Sequence, residues 1–407
     1  MKRRVMKAVS YMALLFSLSQ PLYAEEAKGL APGWLSLDGS VGLLDQKIEE
    51  GKSSVEKAIG ISISGFLDTG YTWSSNHPGK GFKDNISGRV FDKDQNKIEF
   101  NDFNLTLEKP EKDWGVGAKL VADFGRTAEL LRESTLWASK LRHESSAELR
   151  EAFVTFTIPI GEGLQVKGGK FVTLMGTEVI PAPGSPNPNI SRSFLFNYAI
   201  PFTHTGALFT YPLTSTFSLM GGPVTGWDNP HDNNRQPSFH GGFTFSPAEV
   251  FSLATSIMDG PEQTHHSGRS RFTISNVATI KPTSVLTLFL EYTYGHEEKV
   301  TASLRDGTWQ GLAAIASYDW TDRFNTALRG EFFSDRDGVR TGGFALGVPR
   351  DVGLGELTLT GAYKFTAKLL GRMELRQDWA NEKVFAEGNR GKDNAQTTIA
   401  LQAIYTF

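Results

Sequence analysis

Histidine is the side chain best suited to acid–base or metal chemistry near neutral pH, and eight occur in this 407-residue chain. His265 with His266, His231 with Asp232, and His296 with Glu297 and Glu298 stand in loop-like stretches without regular ligand spacing. His240 near Ser238 and His204 near Thr203 raise a serine-type hydrolase. No Gly-x-Ser-x-Gly elbow accompanies them, and no third triad member can be chosen. The chain has no cysteine, which removes thiolate metal sites, cysteine nucleophiles and disulfides. Gly168–Gly169 and Gly221–Gly222 fall inside strand-like segments, where they mark bulges or close packing and not phosphate loops. No cofactor or metal is expected, and the chain does not read as an enzyme.

The remaining chemistry is charge placed on alternating segments. Successive side chains on a strand point to opposite faces. With Phe324, Leu328 and Phe332 on one face of residues 323–334, Arg329 and Glu331 take the other. With Leu369, Met373 and Leu375 facing out, Arg372, Glu374, Arg376 and Asp378 face in. Lys364 and Glu291 join them from nearby segments, and Lys119 and Asp123 from farther along the chain. Burying such a charge against lipid costs about 2–4 kcal/mol for Arg or Lys, so these residues belong to an interior. Opposite signs alternate along one segment, so mutual pairing and a solute-selecting field both stay open. Residues 175–202 combine Pro181, Pro183, Pro186 and Pro188 with Glu178, Asn187, Asn189 and Arg192. A proline-stiffened loop can hold a fixed shape without its own core, as a constriction or as an outer cap.

The elements that must position these groups are short and alternate with period two. Sixteen candidate strands fall near 61–73, 97–108, 114–124, 147–158, 164–174, 203–211, 216–227, 237–246, 250–259, 270–281, 285–296, 309–319, 323–334, 355–364, 368–380 and 395–407. Every second connection is short and often carries proline, as in Lys109–Asp113 and Lys281–Ser284; the intervening ones are long. That asymmetry belongs to an up-and-down transmembrane barrel with long external loops and short periplasmic turns. An even count lets the first and last strands share one side, so residues 339–348 are assigned to a loop. Aromatic residues gather at strand ends, among them Tyr71, Trp73, Trp114, Trp227, Trp309, Trp320, Tyr363 and Phe407, as interfacial girdles require. Residues 127–142 read as a helix in the second long loop, with Leu130, Leu131, Trp137 and Leu141 on one side.

The N-terminus reads as an export signal. Lys2, Arg3, Arg4 and Lys7 precede an apolar stretch from Ala8 to Leu18, and Leu22-Tyr23-Ala24 offers a cleavage site. Residues 25–60 follow as a polar periplasmic segment with a short helix around 46–58, and 61–407 form the barrel. Removing the four basic residues of the signal leaves 38 basic against 45 acidic side chains, a formal charge of −7. That balance argues against a nucleic-acid partner. Beyond the signal no run of 18 apolar residues occurs, which excludes a transmembrane helix but not a barrel.

Several stretches resemble the OmpL-like β-barrel porins: Arg150-Glu151-Ala152-Phe153-Val154, Gly169-Lys170-Phe171, Ser191-Arg192-Ser193-Phe194-Leu195-Phe196, Ile200-Pro201-Phe202-Thr203-His204-Thr205-Gly206, Arg329-Gly330-Glu331-Phe332-Phe333 and Arg372–Asp378. Order and spacing match from about residue 150 to the C-terminus. The ending Ile399–Phe407 is similar to the assembly signal read by the barrel-insertion machinery. The resemblance implies an outer-membrane channel in a Gram-negative bacterium and is silent on cargo. In general porins the third loop narrows the channel, and analogy with them alone suggests a homotrimer. The expectation is an all-β, sixteen-stranded antiparallel barrel passing small hydrophilic solutes or ions passively. A substrate-specific channel, an outer-membrane hydrolase and an adhesive barrel are the alternatives.

Overall fold

The computed structural model describes residues 52, 53, 56, 60–111, 115–133, 146–182, 186–301, 303–341 and 351–407. The chain divides into two units after Gly60, and the description below is of the second, Ile61–Phe407. Its strands are β1 (Ser62–Ser74), β2 (Ile98–Lys109), β3 (Val116–Phe124), β4 (Ala147–Ile158), β5 (Leu164–Val172), β6 (Thr203–Thr214), β7 (Phe217–Val224), β8 (Ser238–Ala248), β9 (Phe251–Pro261), β10 (Ser270–Ile280), β11 (Leu286–Glu297), β12 (Gly307–Asp319), β13 (Phe324–Asp335), β14 (Val352–Lys364), β15 (Leu369–Ala380), β16 (Phe385–Glu387), β17 (Gly391–Asp393) and β18 (Ala395–Thr406).

All but β16 and β17 form one closed antiparallel barrel in chain order, sealed where β18 pairs with β1. The seam is long and regular, from Phe66 opposite Thr406 to Ser74 opposite Thr398. Closure leaves no sheet edge unpaired, the condition for strands to sit in lipid. A twelve-residue strand rises about 40 Å and, tilted by about 45°, spans about 28 Å, the height of the hydrocarbon layer. The sixteen strands fall where period-two alternation puts them. All long connections lie at one end of the barrel, and the short ones, such as 215–216 and 249–250, at the other.

Burial follows the alternation. On β13, Phe332 and Leu328 are exposed on the outside, whereas Arg329 and Phe333 on the opposite face are 0% exposed. Exposed Leu120, Val154, Phe156, Leu219, Leu312, Met373 and Leu401 continue the outer band. An apolar surface this extended is stable against acyl chains and not against water. Tyr363, Phe365 and Trp320 are exposed at strand ends, where interfacial rings belong. Two candidate girdle residues are corrected: Trp227 and Trp309 are buried. The Trp309 indole N–H instead reaches the Ala199 carbonyl at 3.1 Å, a partner that a ring facing lipid could not find.

Other departures are local. Pro212 lies within β6, next to a shift in its register with β7, because a ladder already broken there loses nothing by a missing N–H. Gly169 holds φ +134° on β5, and a Cβ there would meet the Ala152 carbonyl oxygen at 2.2 Å, so this glycine marks close packing. The last long connection contains the β16–β17 hairpin, which its sequence did not announce. The helix of the second long loop, α1, runs Arg126–Glu133 with Leu130 and Leu131 buried. Its expected continuation to residue 142, the Trp114 position, most of 339–348 and most of 25–60 lie outside the described residues.

Candidate functional site

The third long connection, residues 173–202, departs from β5 and returns to β6. Its polar contacts reach β4, β8, β9, β10, β11, β12, β13, β14 and β15. A single segment can touch side chains on so many strands of a closed barrel only from inside it.

The outgoing limb is held near its stem. Thr173 N–H donates to the Phe202 carbonyl, and Leu174 N–H to His240 Nε2 at 3.2 Å. Gly176 N–H donates to Ser275 Oγ at 3.2 Å and Thr177 N–H to Glu291 Oε2 at 2.8 Å. Arg150 Nη1 donates to the Pro181 carbonyl. Val179 and Asn187 then bond reciprocally through the Asn187 side chain, both at 2.9 Å, and close an inner turn.

The returning limb carries most of the charge. Ile190 and Ser191 N–H donate to Glu374 at 2.6 and 3.0 Å; Phe194 and Leu195 N–H donate to Glu331 at 2.6 and 2.5 Å. The loop carbonyls are met by guanidiniums: Asn187 by Arg372 at 2.7 Å, Ser191 by Arg329 at 2.7 Å and Arg192 by Arg376 at 2.6 Å. Asn189 Nδ2 donates to Thr360 Oγ1 at 2.8 Å. Irregular backbone inside a membrane protein must find all its partners in protein or water. Here the barrel charges supply them.

Those charges also neutralise one another. Arg329 lies between Glu178 Oε1 at 2.7 Å and Glu356 Oε1 at 2.6 Å, and Arg376 meets Asp378 Oδ1 at 2.6 Å. Asp378 in turn holds Arg89 of the first long loop at 2.9 Å. Burial alone would push the Glu178 carboxyl up, but the Arg329 and Arg192 guanidiniums hold it below the ordinary carboxylate range. Around this network packs an apolar core from the loop (Met175, Ile180, Phe194, Leu195, Phe196) and the wall (Phe171, Met258, Trp309, Phe333).

Of the candidate residues, Arg329, Glu331, Arg372, Glu374, Arg376 and Asp378 are thus gathered with Glu178, Asn187, Asn189 and Arg192 into one buried network. Glu291 anchors the outgoing limb. Asp123 stands on another part of the wall, 3.4 Å from Arg150 Nε and bonded by Asn104 Nδ2 at 2.7 Å. Lys119 bridges Glu151 at 3.2 Å and keeps 31% of its side chain exposed. Lys364 ends β14 exposed, apart from the rest. Sequence reasoning missed Glu356 and Lys167, which alternation could have assigned; Arg150 and Glu151, neighbours that a register shift between β3 and β4 buries together; and Arg89, which sits in a loop without a period to read.

Ser238, His204 and His240 do not form a serine–histidine pair. Ser238 Oγ donates to Glu262 at 2.7 Å and not to a histidine. His204 and His240 stack at 4.2 Å between ring centres. Both nitrogens of each ring are engaged, by Gly226 O and Thr173 Oγ1, and by Ile257 O and Leu174 N–H. At the loop-side mouth, burial pushes the Asp228 carboxyl up to about 6, against the Thr203 and Phe202 amides that it accepts.

A comparison with curated protein sequences finds no match. Among solved structures, the outer membrane channel DcaP of Acinetobacter baumannii superposes with a TM-score of 0.57 at 14% identity, over 85% of this chain and 97% of that one. An anion-selective porin from Comamonas acidovorans gives 0.57 at 12%, over 85% and 99%. OmpT of Vibrio cholerae in its trimer form gives 0.53 at 10%, over 85% and 99%. At these identities the likeness is one of fold. The family described as "Putative beta-barrel porin-2, OmpL-like" matches residues 60–407, the whole of the barrel. The chain belongs to this OmpL-like porin family and is an outer-membrane porin.

Proposed function

We propose that the protein passes small hydrophilic solutes and ions passively through an opening bounded by loop 173–202, in the outer membrane of a Gram-negative bacterium. Residues 1–24 serve as its export signal, and insertion machinery reads the C-terminal strand. The observation that carries the reading is the loop's anchorage: its amides and carbonyls are bonded by wall charges, so the opening beside it keeps one shape. On this reading Glu291, Arg329, Glu331, Arg372, Glu374, Arg376 and Asp378 act mainly by holding the loop, together with its own Glu178, Asn187, Asn189 and Arg192. Lys119 and Lys364, which keep water contact, meet the solute, and Asp123 acts through Arg150. A homotrimer is the assembly we favour, supported by the trimer form of OmpT.

The test is single-channel recording of the refolded chain, residues 25–407, in a planar bilayer over a range of salt concentrations. Steps that grow in proportion to salt support passive diffusion. Saturating flux of one solute would replace it with a substrate-specific channel. A verified folded barrel that never conducts sinks the channel reading, and an adhesive or enzymatic barrel takes its place.

A further inference from the structure

The inner wall formed by β3, β4 and β5 carries an ammonium, Lys167, that forms no ion pair among the described residues. Lys167 lies opposite Thr155 of β4 and Leu208 of β6 in the register, on the face it shares with Gly169 and Phe171. Phe171 stands opposite His204, whose ring nitrogen bonds the loop residue Thr173, which identifies this face as the inner one. The Lys167 ammonium sits 4.8 Å from the Phe153 ring centre and 5.7 Å from that of Phe171. Among the described residues it has no hydrogen bond and no ion pair. Glu151, the near carboxylate, is taken by Lys119 at 3.2 Å. Glu108, the register partner of Lys119, is exposed near the short-turn end of β2.

The contrast with the rest of the inner wall is sharp. Arg150, Arg329, Arg376 and Arg271 all face a carboxylate, and Arg372 is bonded by Gln402 and two loop carbonyls. A ring face attracts a cation weakly, by about 0.5–1 kcal/mol where water has access, and leaves its charge in place. An unneutralised ammonium on a channel wall raises the local concentration of anions and lowers that of cations.

We infer that Lys167, on its platform of Phe153 and Phe171 beside Lys119, is the residue that sets the charge preference of the channel, drawing small anions such as carboxylates. The inference rests on the channel reading above and adds the solute's sign and the group that reads it.

The absence of native cysteine gives a clean test. Lys167→Cys supplies a single thiol, which a cationic or an anionic methanethiosulfonate then labels in the folded barrel. Reversal potentials are read in a KCl gradient before and after labelling, with Lys364→Cys as a control near the opening. The native channel should prefer chloride. Lys167→Cys should lose about threefold of that preference for each ion, the size expected of one charge acting at about 7 Å in water. The cationic label should restore it and the anionic label reverse it, while Lys364→Cys shifts it less. A thiol that no reagent reaches, or a reversal potential indifferent to the label's sign, overturns the inference while leaving a conducting channel. No conductance in the native protein would instead remove the channel reading beneath it.

Discussion

Arg329 concentrates the energetics of the inner loop in one side chain. Its guanidinium is fully buried and joins Glu178, Glu356 and the Ser191 carbonyl within 2.7 Å. Replacing it by methionine keeps the volume and abandons two buried carboxylates, a change that costs about 3–5 kcal/mol where one partner of a buried pair is removed. Thermal unfolding in detergent should show a clearly lowered transition for Arg329→Met. A transition equal to the native one would mean that the loop is held chiefly by its apolar core. Glu262, at the loop-side mouth, makes a pH prediction. Burial pushes its carboxyl up to about 7, although Trp227 N–H and Ser238 Oγ donate to it. A carboxyl raised in the folded state stabilises fully below its ordinary value near 4.5 and loses that contribution as pH rises through about 7. Amide exchange at Trp227, corrected for its intrinsic pH dependence, should therefore accelerate between pH 5 and 8. The same slope in Glu262→Gln would assign the effect to another group.

At the scale of the element, loop 173–202 is a docked segment whose backbone is bonded to the wall along both limbs. Four backbone donors of its returning limb, in the pairs Ile190–Ser191 and Phe194–Leu195, depend on two carboxylates, Glu374 and Glu331. A hydrogen bond to a charged group contributes about 1.5–3 kcal/mol, roughly twice a neutral one. The double variant Glu331→Gln with Glu374→Gln keeps the shape and removes the charge assistance. Its loop should fluctuate more, visible as increased open-channel noise and as proteolysis within residues 186–200. Quiet current and native protease resistance would show that packing of Phe194, Leu195 and Phe196 suffices. Excising residues 178–194 should go further and enlarge the conductance severalfold.

For the whole molecule, closure is the condition of stability. β18 carries two ladders at once, to β1 and to β15. A chain ending at residue 394 exposes both partners as edges, and unpaired backbone in lipid costs several kcal/mol for each group. Such a chain should fail to yield the heat-resistant compact band that folded barrels show on electrophoresis, while deletion of Phe407 alone leaves both ladders in place. If the protein assembles as proposed, light scattering should give three times the protomer mass, with conductance closing in three equal steps. A single step with protomer mass would rule the trimer out.

The barrel was legible in the sequence because its signals are local. Alternation with period two declares the lipid face of Phe324, Leu328 and Phe332 without knowledge of any neighbour, and the rhythm of short and long connections orders the strands. The same alternation turns Arg329, Glu374 and Arg376 away from lipid, since no charge of theirs could face it. What those charges then do is not local. Arg329 meets Glu178 across 151 residues and Arg376 meets the Arg192 carbonyl across 184, so no window of sequence contains both partners. Trp309 looks like any strand-end aromatic until the loop carbonyl of Ala199 stands over it. Lys167 and Lys119 read alike in sequence, and only closure of the wall gives Glu151 to Lys119 and leaves Lys167 on its rings. Period and composition determined the barrel, and the tertiary structure alone decided which charges anchor a loop and which ammonium rests on aromatic rings instead of a carboxylate.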